Sequence, residues 1–80
     1  MRRYYFDLVD GSDISPDEEG MELPDVQSAQ EEAAVALAGL TKEMRLNGPR
    51  ISLNEIAIDV RDNAGLVMRL RFEFEDRTVQ

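Results

Sequence analysis

The chain has 80 residues, 17 of them acidic and nine basic, for a net charge of −8, and it contains neither cysteine nor histidine. That length suits one small domain spanning residues 1–80, and the composition removes disulfides, thiolate nucleophiles, cysteine-based metal knots and imidazole acid–base chemistry. The negative field repels nucleic-acid backbones and anionic lipid, and no stretch reaches the roughly 18 apolar residues of a membrane span, so no nucleic acid, membrane or cofactor is expected and the setting is expected to be cytoplasmic.

Arg3 to Val9 alternates as a strand does, with Tyr4, Phe6 and Leu8 on one face and Tyr5, Asp7 and Val9 on the other. Asp10-Gly11-Ser12-Asp13 is turn chemistry that ends it. From Asp10 to Pro24 the chain carries Asp10, Asp13, Asp17, Glu18, Glu19 and Glu22 without a lysine or arginine. A connection of that length implies local structure of its own, and Gly20 to Leu23 is a candidate for a brief edge strand.

A helix follows. Pro24 closes the extended segment and Asp25 offers a carboxylate to the unpaired amide donors of a first turn, while Ser28 with Glu31 has capping-box spacing and is a second candidate start. From Val26 the apolar positions Ala29, Ala33, Leu37, Leu40 and Met44 hold one face. Glu31 and Glu32 lie toward the positive end of the helix dipole, and Lys42 and Arg45 toward the negative end. Asn47-Gly48-Pro49 stops the helix. The alanines make a thin layer that can lie close to a sheet or to a second copy. Gly39 reads either as a tolerated surface glycine or as a close contact with another backbone.

The last third reads as a hairpin, Glu55 to Arg61 and Leu66 to Phe74. A three-residue loop Asn63-Ala64-Gly65 with a left-handed glycine pairs Asp62 with Leu66, Val60 with Met68, Ile58 with Leu70 and Ile56 with Phe72, keeping the inner pairs apolar. The reverse face then sets Asp59 against Arg69, Arg61 against Val67, Ala57 against Arg71 and the like charges Glu55 and Glu73 against each other. One helix covers one sheet face, so the other is expected to meet water or a partner. Its candidate contact residues are Tyr5, Val9, Val67, Arg69 and Arg71.

Chemistry-bearing residues are few. Lys42 is the only lysine, and Ser12, Ser28 and Ser52 sit where turns or caps already explain them. No glycine-rich phosphate loop is present, and no catalytic residue is assigned. The carboxylates Asp10, Asp13, Asp17, Glu18, Glu19 and Glu22 are weak candidates for a divalent-cation site. Their spacing does not fit a calcium-binding EF loop, since counting from Asp13 puts Glu18 at the sixth position and Pro24 at the twelfth.

Arg3-Tyr4-Tyr5-Phe6-Asp7, the Asp10-Gly11 turn, Pro16-Asp17-Glu18-Glu19-Gly20 with Glu22-Leu23-Pro24-Asp25, and Ile58-Asp59-Val60-Arg61-Asp62 with Gly65 together resemble a family of small uncharacterised bacterial proteins common in rhizobia and related soil bacteria. The resemblance covers roughly residues 2 to 75. It implies a bacterial, intracellular origin and supplies no activity, substrate or catalytic residue.

The expected fold is α+β in two layers, a small antiparallel or mixed sheet of three to four strands packed on one long helix in the order β-(β)-α-β-β. Whether the first strand pairs with the middle or the last strand stays open. The expected core is Tyr4, Phe6, Leu8, Val26, Ala29, Ala33, Leu37, Leu40, Met44, Ile56, Ile58, Val60, Met68, Leu70 and Phe72. For function the lead expectation is a non-enzymatic protein-interaction module, with a homodimer as one form it can take. The alternatives are an acidic regulatory or antitoxin-like protein that masks a basic partner surface, and a weak divalent-metal-binding protein or carboxylate-based enzyme.

Overall fold

A computed structural model describes residues 1–47 and 56–72, with residues 41–47 described by their backbone. Strand β1 runs Arg2–Asp10, and a tight turn with Gly11 at φ 61° leads into β2, Asp13–Ser15. Strand β3 is Met21–Leu23, helix α1 is Val26–Asn47, and β4 (Ile56–Asp62) and β5 (Gly65–Arg71) close the chain order. The acidic connection thus holds two short strands. The second is the segment expected from the sequence; the first makes the sheet five-stranded, one strand more than expected.

The sheet order is β2-β1-β4-β5, with β3 also on β1. This settles the question that the alternation left open: the first strand lies against the middle strand, antiparallel, with Phe6 opposite Val60 and Leu8 opposite Ile58. β2 pairs with Leu8–Asp10 and β3 with Arg2–Tyr4, so the two short strands occupy successive stretches of the β1 edge that faces away from β4. Because β3 and β4 both run antiparallel to β1, they are parallel to each other. The connection β3-α1-β4 is therefore a crossover with β1 inserted between its strands.

Tyr4, Ala29, Ala33, Leu37, Ile56, Ile58 and Val60 form the buried cluster, with Phe6, Leu8, Leu23, Leu40, Val67, Met68, Leu70 and Phe72 packed around it. Ala29 and Ala33 are wholly buried, the close helix-to-sheet approach that their small side chains permit. Val26, expected in this core, is 43% exposed. It is the first residue of the helix, and α1 reaches the sheet only a turn later, at Ala29. The side chain of Met44 lies outside the described residues, as do Gly48, Pro49, Glu55, Glu73 and Phe74.

Asp25 caps α1: the Ser28 N–H donates to its Oδ1 at 2.8 Å. That bond, with one from the Ser28 hydroxyl, holds the Asp25 carboxyl below its ordinary value. The Ser28–Glu31 start is therefore not the one used. With Val26 as first residue, the first turn carries no acidic side chain. Glu31 and Glu32 sit beyond the stretch where the dipole acts strongly, and the cap carboxylate takes that role.

Gly39 is exposed, and a Cβ built on it meets nothing within 4 Å. Within the chain it is therefore a surface glycine. Gly39→Ala is expected to stabilise the protein by about 0.5–1 kcal/mol, since it lowers the entropy lost on forming the helix. A rise in the urea midpoint at unchanged m-value would show it.

The hairpin register holds where it matters for the core. Ile58 faces Leu70, Val60 faces Met68, Asp59 faces Arg69 and Ala57 faces Arg71. The Phe72 N–H donates to the Ile56 carbonyl at 3.0 Å, as the Ile56–Phe72 pair requires. Nearer the turn the expectation is corrected. Asp62 pairs with Gly65 and Arg61 with Leu66, and the register shifts between Val60 and Arg61. The extra residue is thus Val67, not Gly65. Asp62 Oδ1 accepts the Ala64 N–H at 2.8 Å and tightens a two-residue turn, and the bulge restores the parity that an even loop would have lost.

Candidate functional site

The reverse face of the sheet is built from β1, β4 and β5. Tyr5 lies opposite Arg61, Asp7 opposite Asp59 and Val9 opposite Ala57. Asp7 against Asp59 is a like-charge pair, destabilising if nothing else intervened. Each carboxylate is instead taken by its own arginine. Arg61 Nε donates to Asp7 Oδ2 at 2.7 Å, and Arg69 donates to both oxygens of Asp59 at 2.5 and 2.8 Å. The two-pronged Arg69 contact lowers the Asp59 carboxyl below its ordinary value against the opposing pull of burial. Both guanidinium groups are raised, chiefly by those same carboxylate hydrogen bonds.

The segment 16–20 closes onto this face. β2 and β3 leave a gap on the β1 edge at Phe6, whose N–H has no strand to pair with. Asp17 fills the gap: its Oδ2 accepts the Phe6 N–H at 3.1 Å, and its Oδ1 accepts those of Glu19 and Gly20 at 3.2 and 3.1 Å. One side chain thereby replaces a missing rung of the sheet and forms an Asx-type turn. The Asp17 N–H donates to Asp7 Oδ1 at 2.8 Å, and Arg61 Nη2 donates to the Asp17 carbonyl at 3.1 Å. The guanidinium of Arg61 also stacks over Tyr5, 4.6 Å from the ring centroid. Arg3 Nη1 donates to the Glu19 carbonyl at 2.6 Å and holds the far side.

Burial by itself would raise the Asp17 carboxyl. The N–H donors of Gly20, Phe6 and Glu19, with the charge of Arg61, outweigh it, and the group sits below its ordinary value. Asp7 is only 7% exposed, and its two oxygens are both occupied, as a buried carboxylate requires.

The acidic candidates consequently divide. Asp17 is committed to backbone donors, and Asp10 is half-buried at the end of β1. Asp13, Glu18, Glu19 and Glu22 are exposed. Only Glu22 among these four has an ion-pair partner among the described residues, Arg3 at 4.0 Å. No three acidic side chains among the described residues gather into a group that could hold a metal ion.

The five candidates for a contact face also divide. Val9 is buried and Tyr5 half-buried beneath Arg61. Val67, as the bulge residue, packs against the helix-side core instead of facing outward. Arg69 and Arg71 are exposed. The reverse face is thus not bare: ion pairs and the 16–20 segment cover much of it. Sequence reasoning missed the Asp7–Asp17–Arg61–Tyr5 cluster. Its signals were a carboxylate in mid-strand, which needs partners if buried, and an aspartate two and three residues before the donors of Glu19 and Gly20.

Among the described residues, no helix is long and apolar enough to cross a membrane. No curated protein and no solved structure matches the chain. The residues that lock the 16–20 segment down, Tyr5, Asp7, Asp17, Gly20 and Arg61, all lie within the stretch 3–73 that matches one family, and the chain belongs to that family, the domain of unknown function DUF6894.

Proposed function

We propose that this protein is a non-enzymatic interaction module that offers a pre-shaped acidic edge to a basic protein surface. The observation that carries the reading is the division of labour within one short segment. Asp17 spends its carboxylate holding the backbone of residues 17–20 to β1, while Glu18 and Glu19 stand exposed, without ion-pair partners among the described residues. Carboxylates on a backbone that is already ordered lose little further conformational freedom on binding. They also steer a basic partner at low ionic strength.

Affinity purification from the source cell at low and then high salt, with the wild-type chain and an E18Q/E19Q variant, tests this. A basic protein is expected on the wild type at low salt and is expected to be lost at high salt and on the variant. Recovery of no basic protein at low salt, or equal recovery on the variant, counts against it. A regulatory, antitoxin-like role is the form this reading takes if the captured surface is itself an active or nucleic-acid-binding one.

A further inference from the structure

Residues 16–20 are held to the sheet without an apolar anchor. None of the five belongs to the buried cluster or packs around it. Among the described residues, no backbone-to-backbone hydrogen bond joins them to another element. Four hydrogen bonds among the described residues cross from the segment to the sheet, and each uses a charged side chain. Three of them meet at Asp17: its Oδ2 accepts from Phe6, its N–H donates to Asp7, and its carbonyl accepts from Arg61. The fourth runs from Arg3 to the Glu19 carbonyl.

The flanks of the segment are tied down separately, β2 to Leu8–Asp10 and β3 to Arg2–Tyr4. The five residues between can therefore lift from β1 while both short strands stay paired. Lifting exchanges four hydrogen bonds for bonds to water and draws no side chain out of the core, the mark of a segment that opens below the threshold of global unfolding. We propose that residues 16–20 are a latch that opens and closes as one unit on an intact sheet, and that Arg61, on the central strand, sets its balance. Arg61 donates to Asp7 Oδ2 and to the Asp17 carbonyl at once, and its guanidinium rests on the Tyr5 ring. It thus holds Asp7 where the other carboxylate oxygen takes the Asp17 N–H.

The bonds that meet at Asp17 share one stretch of backbone, so they are made and lost together. Closed, the latch carries Glu18 and Glu19 on ordered chain. Open, it frees them and releases the Phe6 N–H and Asp7 Oδ1 to water. An open population on the order of 1% is ordinary for a minor state of this kind. Arg61 is in this sense a positioning residue for two carboxylates it does not touch, and a ligand that binds the closed form draws the latch shut. The latch rests on the geometry of the β1 edge alone and stands or falls independently of the partner proposed above.

Amide hydrogen exchange of the full chain, read residue by residue by NMR at several low urea concentrations, tests it. In the wild type the amides of Phe6, Asp17 and Gly20 are expected to share one protection of about 100-fold that urea barely changes. The amides of β4 are expected to exchange far more slowly and to respond steeply to urea. R3Q removes the Glu19 contact and the exposed pair with Glu22, neither of which involves those three amides. It is nevertheless expected to speed all three by one common factor, about three- to tenfold. R61K keeps a charge beside Asp7 but lacks the fork that also reaches the Asp17 carbonyl. In that variant the three amides are expected to exchange about tenfold faster together, while β4 keeps its higher protection. Protection at the three amides that is absent, or equal to that of β4, overturns the inference. So does an R3Q or R61K variant that leaves them unchanged or moves them by different factors.

Discussion

Gly20→Ala is expected to lower the melting temperature by roughly 10–20 °C. Gly20 sits at φ 72°, and a Cβ there would lie 2.8 Å from the Tyr4 carbonyl oxygen and 2.9 Å from the Tyr5 ring. The left-handed conformation costs alanine about 1–2 kcal/mol. The clash adds a further term because its first partner is strand backbone, which cannot swing aside. A total near 2–4 kcal/mol is large against the roughly 4–12 kcal/mol that holds a domain of this size together. Gly65→Ala is the control. Gly65 lies at φ 126° with nothing within 4 Å of a built Cβ, so it carries the conformational cost alone. Thermal melts of both variants read these costs, and a Gly20→Ala loss below about 1 kcal/mol would mean that the 16–20 segment does not lie against β1 as described.

Asp17→Ala removes the acceptor for Phe6, Glu19 and Gly20 together. Glu19 is exposed and its N–H turns to water, but the bonds to Phe6 and Gly20 are part-buried. Two such donors left without partners cost about 2–3 kcal/mol in all, measurable as a lower urea midpoint. The same residue contributes to the acid sensitivity of the fold. The folded-state pKa of Asp17 lies below its unfolded value, as do those of Asp25 and Asp59. The unfolded chain therefore takes up these protons first as the pH falls. The stabilisation is fully present above the unfolded value, near pH 4, and is lost as the pH drops through the lower folded-state values. Asp17→Asn should flatten the stability curve below about pH 4 relative to wild type, while the contributions of Asp25 and Asp59 remain. An unchanged acid limb in that variant would remove Asp17 from the account.

Both effects come from a cluster that the sequence shows only in pieces. The strand alternation of Arg3 to Val9, the stripe from Ala29 to Leu40 and the apolar pairs of the hairpin are local periodicities. Each can be read without knowing what lies across from it, which is why the register of Ile58 against Leu70 and the cap at Asp25 are legible in the chain itself. Asp7 and Arg61 are 54 positions apart, and Asp7 and Asp17 meet across a connection whose own two strands are only three residues long. No periodicity joins such residues. They are brought together when β1 docks beside β4.

The turn of the hairpin teaches the same lesson at smaller scale. The core demands odd parity across the turn, which the sequence reads as the three-residue loop Asn63-Ala64-Gly65; the structure instead uses a two-residue turn and restores the parity with a bulge. Where the extra residue goes is not a matter of parity. The structure puts it at Val67, where the side chain packs against the helix-side core, and packing decides between two placements that pattern alone cannot rank. Val26 is the converse case, an apolar residue in phase with the helix stripe that ends up exposed because α1 meets the sheet one turn later.

By itself, then, the sequence determined the helix, the three long strands, and the inner pairs of the hairpin, Ile58 with Leu70 and Val60 with Met68, since these follow from side-chain period over a few neighbouring residues. Only the tertiary structure decided that β1 lies between β4 and the two short strands, that the Phe6 rung is supplied by the Asp17 carboxylate, and that the acidic segment is part of the fold. Those outcomes depend on which backbone donors are left unpaired once the strands have assembled. That is a property of the assembled sheet, not of any stretch of chain within it.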